Sequence, residues 1–372
     1  MLLLLQICTF VAASVARVGY MNKEYLHNLL DRVISGASLS RDDWRRLLSE
    51  GAAPDVADLL RNEASRIATG NFGKGVFVRG LIEISSYCRN NCNYCGLRCS
   101  NREALRYRLT KEEILDCCCE GAALGFNTFV LQGGEDVKQG DEWIVDVVRS
   151  IKAMFPDKAV TLSVGERSVE GYRAMRQAGA DRYLLRHETR SDEHYALLHP
   201  SAMSAEKRRA SLQTLKSLGF QTGSGMMIGS PYQTLENIVD DLMYLDELKP
   251  QMIGIGPFIP AGNTPFAQFP AGSVDLTILI VSLLRLRFPK ALIPATTALA
   301  SIDEQGRERA ILAGANVVMP NLSPLGVRSK YSIYDGKKSL GSESAQALDE
   351  LARRLATICY HIDFGRGDYN EK

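Results

Sequence analysis

From residue 80 onward the chain alternates between short, nearly continuous apolar runs and longer stretches that are apolar along one face only. The runs at 80–86, 128–132, 160–164, 182–186, 221–228, 252–258, 292–296 and 316–319 predict strands. Runs so apolar suit strands that are covered on both faces, as in a parallel sheet. Helical periodicity fills most of the gaps, at 169–179, 205–219, 235–248, 275–288 and 304–314. A further helix opens on the capping box Thr110-Lys111-Glu112-Glu113, carries Cys117 to Cys119 and ends at Gly125. Eight strands with helices between them predict an α/β fold, a (β/α)8 TIM-type barrel over 79–325. That span is close to the roughly 250 residues such barrels need.

Residues 21–78 read as a helical preface. Tyr25, Leu26, Leu29, Leu30, Val33 and Ile34 recur at helical spacing. Ser40 caps the next helix, with Asp42 and Asp43 in its first turn, and a third runs over 54–68. Residues 326–372 predict one C-terminal helix at about 342–360 and a polar tail. Residues 1–20 are mostly apolar but too short and interrupted for a membrane span, and they lack a basic n-region. They read as an organelle-targeting leader or as a start assigned too early, with Met21 the true one.

Composition changes little in this picture. The 372 residues are 45% hydrophobic with a net charge of +1. This balance gives no argument for nucleic acid or membrane as partner. Nine cysteines, three of them consecutive, do not resemble a disulfide framework. Reduced thiols point to a reducing compartment, hence the cytoplasm unless the leader is real.

Three cysteines change the picture most. Cys88, Cys92 and Cys95 lie in Cys88-Arg89-Asn90-Asn91-Cys92-Asn93-Tyr94-Cys95-Gly96, just past the first strand end. A closed zinc site normally wants four protein ligands. An iron–sulfur cube is usually held by four cysteines. Three thiolates would leave one iron open to a small molecule; a structural zinc loop is the alternative.

The spacing Cys-x3-Cys-x2-Cys, with an aromatic residue before the third cysteine, resembles the radical S-adenosylmethionine (SAM) superfamily. The resemblance implies one 4Fe–4S cluster bound by Cys88, Cys92 and Cys95, with SAM on the open iron. It also implies reductive cleavage of SAM to a 5′-deoxyadenosyl radical.

In such a barrel the site lies at the C-terminal strand ends. The second strand ends in Gln132-Gly133-Gly134-Glu135-Asp136, where paired glycines allow close approach to a ligand. The third ends in Thr161-Leu162-Ser163-Val164-Gly165-Glu166. The fourth runs out through Arg186-His187-Glu188-Thr189, charges that need partners if buried. A bound ligand or an internal ion-pair network would supply them, with His187 read as a packing residue. Met226 or Met227 can pack on an adenine, and Arg208 or Arg209 can reach a carboxylate. Thr296 and Thr297 offer adjacent hydroxyls.

Cys95-Gly96-Leu97-Arg98, Arg106-Tyr107-Arg108, Asp181-Arg182-Tyr183-Leu184-Leu185-Arg186-His187-Glu188-Thr189, Gly254-Ile255-Gly256-Pro257-Phe258-Ile259-Pro260 and Ile293-Pro294-Ala295-Thr296-Thr297 together resemble the HydE family. These are radical SAM FeFe-hydrogenase maturases of the biotin synthase-like group. The resemblance implies SAM contacts at Tyr94, Gln132, Gly133, Ser163, Glu188 and Arg208, and Met227 joins this cofactor-binding set from the residue reading. The resemblance implies substrate contacts at Arg186, Thr296 and Thr297, to which Thr161 of the third strand end is added as a candidate. It implies an iron-complex substrate, other hydrogenase maturases as partners, and an electron donor. Only Cys359 lies near the C-terminus, so a second cluster is not expected. Rival readings are a methylornithine synthase-like enzyme and, in another class, a non-catalytic iron–sulfur scaffold.

Overall fold

The computed structural model describes residues 23–370, so the readings of residues 1–20 and of Met21 lie outside the described residues. A ring of parallel strands forms the centre. β2 (Gly80–Ser85), β3 (Thr128–Gly133), β4 (Ala159–Ser163), β5 (Arg182–Leu184), β6 (Gln221–Ser224) and β8 (Met252–Ile253) pair in that order, all parallel. Single parallel bridges continue the ring from Met252 to Leu292 and from Pro294 to Val317 of β10 (Val317–Val318). The Leu81–Asn321 bridge closes it onto β2. The predicted (β/α)8 barrel is therefore present, with a seventh strand reduced to two bridges.

Strands five and six were expected over 221–228 and 252–258, but each breaks in two. β7 (Met227–Ile228) pairs with β9 (Gly256–Pro257) apart from the main sheet. The cause lies at Gly225, where a Cβ would fall 1.9 Å from the Gly254 carbonyl oxygen. The two chains cross at bare backbone, and the pairing restarts beyond it.

Two strands have no counterpart in the sequence reading. β1 (Gly75–Val78) pairs with β10 on one side and with β11 (His361–Asp363) on the other. The residues assigned to a polar tail thus include a strand. The expected helix at 342–360 is shorter, Leu348–Thr357, preceded by 3-10 turns at Gly341–Glu343 and Ala345–Ala347. The helix Asp141–Met154 was missed, as were the short helices Asp192–Leu198 and Thr297–Ile302. The latter two are too short to show a helical period.

Alternation along the strands sorts their side chains. Ile82, Ile84, Phe129, Leu131, Val160, Leu162, Tyr183 and Leu185 join the core beneath the surrounding helices. The preface belongs to the same core through Leu26, Leu29, Val33, Trp44, Leu47 and Leu60. The other parity faces the interior: Leu81, Glu83, Val130, Gln132, Thr161, Ser163, Leu184 and Arg186. Below, Met252, Leu292 and Val317 form an apolar floor with Leu184, Phe77 and Tyr369. The tail plugs the floor: Arg182, wholly buried, meets Asp368 at 2.6 Å and the Gly367 carbonyl at 3.1 Å.

Candidate active site

The cysteine loop leaves β2 and sits on the barrel mouth, held on three sides. Asn93 N–H donates to the Leu198 carbonyl at 2.9 Å, and the Asn93 amide donates to Leu197 at 2.9 Å. Arg89 N–H donates to the Glu135 carbonyl at 2.9 Å, while its guanidinium meets the Glu135 carboxylate at 3.0 Å. Gly96 N–H donates to the Ile333 carbonyl at 2.9 Å. A Cβ at Gly96 would stand 2.2 Å from the Ser332 carbonyl oxygen, so only glycine fits. A Cβ at Gly134 would meet the Tyr87 carbonyl oxygen at 2.2 Å and Cys88 Cβ at 2.8 Å. The second glycine of the paired turn thus lets the cysteine loop pack close.

Cys88, Cys92 and Cys95 are free and partly buried. Burial pushes all three thiols up, Cys95 to about 12. Thiolates here call for a cation to offset desolvation. Among the described residues no three His, Cys, Asp or Glu side chains are already gathered round one ion-sized point. The donor set, three free thiols on one turn, fits a cluster bound at three irons. Cys99 is exposed, with its N–H on the Asn90 carbonyl at 2.9 Å. Cys117 and Cys118 are buried on their helix and Cys119 is exposed.

Tyr94 hydroxyl lies 3.1 Å from His199 Nε2, and the two rings meet edge to face. Burial holds His199 down at about 3, so the imidazole is neutral. Tyr94 packs on the apolar cluster of Leu198, Met227, Phe258 and Phe266. The two residues expected around an adenine, Tyr94 and Met227, thus share one apolar wall.

Across the interior, Gln132 pairs in register with Glu83 on one side and Ser163 on the other. Gln132 donates to the Tyr331 hydroxyl at 3.4 Å. Gly133 lies close to Ile84, whose Cγ1 a Cβ would meet at 3.1 Å. Arg186 meets Glu188 at 2.9 Å, and Arg208 meets Glu166 at 2.7 Å. Glu188 adopts φ 65, left-handed for a non-glycine residue, and its N–H donates to the Gly225 carbonyl at 3.1 Å. Such a backbone costs on the order of 1–3 kcal/mol and turns the carboxylate inward. Thr161 Oγ1 and Thr296 Oγ1 are buried without a hydrogen-bond partner. Arg186 Nε and Nη2, Glu188 Oε2, Arg208 Nε and Glu166 Oε1 also complete no well-directed hydrogen bond. Buried polar groups left in this condition are costly, and a polar ligand relieves the cost. SAM, with its carboxylate, ammonium and ribose hydroxyls, fits that demand.

Not every residue named near the strand ends faces the interior. His187 points outward, with Nδ1 2.9 Å from Ser224 Oγ and Nε2 3.4 Å from Asp241. Thr297 donates to Glu343 at 2.8 Å, so only Thr296 leaves its hydroxyl unpartnered. Arg209 is engaged by Asp192 at 2.7 Å. Met226 is fully buried in the main core. Sequence reasoning missed Glu83, a carboxylate inside the apolar run Leu81-Ile82-Glu83-Ile84. It also missed Tyr331 and Lys337, which reach the interior from beyond the last strand. The charge within an otherwise apolar strand was the available signal.

The sequence model described as "Radical SAM superfamily" matches residues 82–245. The chain is 46% identical over 302 residues to the [FeFe] hydrogenase maturase subunit HydE of Thermotoga maritima, covering 80% of this chain and 85% of that one. It is 31% identical over 300 residues to 3-methylornithine synthase of Methanosarcina acetivorans, covering 80% and 84%. The crystal structure of methylornithine synthase (PylB) superposes with a TM-score of 0.80 at 28% identity, over 92% of this chain and 98% of that one. The hydrogenase maturase HydG superposes equally well, TM-score 0.80, over 96% and 80%; at 19% identity this shows the fold alone. Among the described residues no helix is long and apolar enough to cross a membrane.

Proposed function

The chain belongs to the radical SAM superfamily, as a HydE-like enzyme with a 4Fe–4S cluster and SAM as cofactors, and we propose from that premise that it acts on an iron-complex precursor in assembly of the FeFe-hydrogenase diiron subcluster. The observation that carries the reading is one coincidence. Arg186, Glu188 and Thr296 keep buried polar atoms without good partners, the Glu188 and Arg208 charges act on Cys92, and the same loop carries three free thiols. When bound, the cluster and SAM supply a 5′-deoxyadenosyl radical by reductive cleavage of a carbon–sulfur bond.

The chain's own residues bind, orient and exclude. Cys88, Cys92 and Cys95 would hold the cluster and leave it open to SAM. Tyr94 and Met227 offer the apolar wall for the adenine. Gln132, Gly133, Ser163, Glu188 and Arg208 meet the polar groups of SAM. Arg186, Thr161 and Thr296 line the far end of the interior and hold the substrate. Thr297 stabilises that wall through Glu343. A primary carbon radical reacts with nearly any neighbour, so the walls must seat substrate at near-attack distance and keep water out. The apolar floor and its plug close one end of the barrel.

The partners fit the same picture: other hydrogenase maturases, and a low-potential electron donor in a reducing compartment. The test is anaerobic reconstitution, reduction with dithionite, and measurement of 5′-deoxyadenosine, followed by addition to a maturation mixture lacking the HydE component. SAM cleavage with rescue of hydrogenase activity is expected. Cleavage without rescue, with lysine converted to a rearranged amino acid, would favour the methylornithine synthase reading that the 31% relative supports. SAM binding without any cleavage would favour a scaffold.

A further inference from the structure

Glu83 stands on the strand that carries the cysteine loop, and it is wholly buried. Its register partner is Gln132, so it belongs to the interior belt and not to the helix-covered core. Asn321 donates to one carboxylate oxygen at 2.9 Å. Lys337 Nζ stands 2.5 Å from the other, with its side chain only 9% exposed. Lys337 lies 254 positions away in sequence, on a stretch that forms no helix or strand.

That stretch, residues 329–340, crosses the mouth of the barrel. Ile333 receives the Gly96 N–H, so it touches the cysteine loop. Asp335 N–H donates to the Pro260 carbonyl at 3.1 Å, and its carboxylate accepts from Gly262 N–H at 2.9 Å. Tyr331 is buried beside Gln132, with the Lys337 ammonium 5.4 Å from its ring centre. The crossing is held at its rim by a few backbone bonds and by two side chains that reach inward, Tyr331 and Lys337, of which only Lys337 carries a charge.

We propose that Lys337 is a positioning residue that latches segment 329–340 across the barrel mouth by way of the buried Glu83 carboxylate. A fully desolvated carboxylate with only a neutral amide for company is poorly satisfied. The ammonium relieves this only when the segment lies flat, so the charge pair ties the position of the segment to the interior. Opening the mouth requires Lys337 to leave, and closing it returns the ammonium to one defined oxygen. The segment then serves as the wall that keeps water from the radical. This rests on the reading that cluster and SAM meet inside this barrel.

The test uses the reconstituted full chain. Removing one charge alone leaves the other buried and unpaired, which endangers folding. The deciding variant is therefore the double replacement Glu83→Gln with Lys337→Met, since removing both members of a buried pair is often neutral for stability. Amide hydrogen exchange is followed by mass spectrometry, and iron loss to a ferrous chelator by absorbance. In the double variant, exchange within 329–340 is expected to quicken about tenfold or more, a local opening. Exchange in the outer helices should stay as in the parent. Iron should be lost faster, Lys337→Arg should keep most of the protection, and Lys338→Met should change nothing. Unchanged exchange in 329–340, or acceleration spread evenly over the whole barrel, would overturn the latch. Should the protein bind no cluster, the reading of the site fails, while the exchange measurement still decides the latch.

Discussion

The Arg208 guanidinium stands 2.7 Å from the Glu166 carboxylate, and neither side chain is more than 10% exposed. The pair joins the helix Ala205–Ser217 to the loop after β4, beside the Glu135 carboxylate that accepts from Glu166 N–H at 2.9 Å. Arg208→Met leaves Glu166 buried without its cation. The expected cost is about 3–5 kcal/mol, as for other broken buried pairs. Urea unfolding should show the loss, and calorimetric titration should show weakened SAM binding. A change in unfolding free energy below about 1 kcal/mol would mean that water screens the pair as at a surface.

Cys92→Ala should abolish iron uptake to the four-iron level and abolish 5′-deoxyadenosine formation. The thiol lies against Met203 Sδ at 3.8 Å, in a pocket that burial makes hostile to free thiolate. The folded barrel does not depend on it, so circular dichroism should be unchanged. Retained SAM cleavage in this variant would refute a three-cysteine cluster.

The neighbouring threonines should part company. Thr297 donates to Glu343, which also pairs with Arg307, so Thr297→Val should cost about 1–3 kcal/mol in stability for the unpaired buried acceptor. Thr296 Oγ1 has no partner, so Thr296→Val should leave stability within about 0.5 kcal/mol. It should leave SAM cleavage intact and slow maturation. Loss of SAM binding in Thr296→Val would place that residue at the cofactor end instead.

His199 gives a pH signature. Burial holds it at about 3, with the nearby Arg208 charge acting in the same direction. The unfolded chain protonates near pH 6.5, so its stabilising contribution is complete above that value and is lost as pH falls toward 3. Between pH 7 and pH 5 the parent should lose about 2 kcal/mol that His199→Phe does not lose. Urea unfolding at both pH values measures the difference. Parallel losses in the two proteins would show that His199 takes a proton while folded.

Most of the barrel was legible because its strands are short, mostly apolar runs, a pattern that needs no long-range information. The cysteine loop and the strand-end residues were legible for a related reason, since charge in an apolar run demands a partner. Much of what escaped depends on contacts between distant segments. β1 was hidden because Arg79 separates it from β2, and its partners Val317 and His361 lie far along the chain. The break at Gly225 needs the Gly254 carbonyl to be visible. Thr296 and Thr297 look alike in sequence, and only Glu343 tells them apart. Glu83 carried a signal that went unused, whereas Lys337 lies in a polar stretch where lysine is ordinary.

The plug at the barrel floor is built from Arg366, Gly367 and Asp368, which follow every strand of the barrel in the chain, and β11 completes the small sheet only just before them. Until these residues leave the ribosome, the cylinder has a cysteine loop at one end and an open base at the other. Metal loaded during translation would enter a vessel without a bottom. Iron delivery is therefore best timed after the plug residues have emerged and docked beneath the strands.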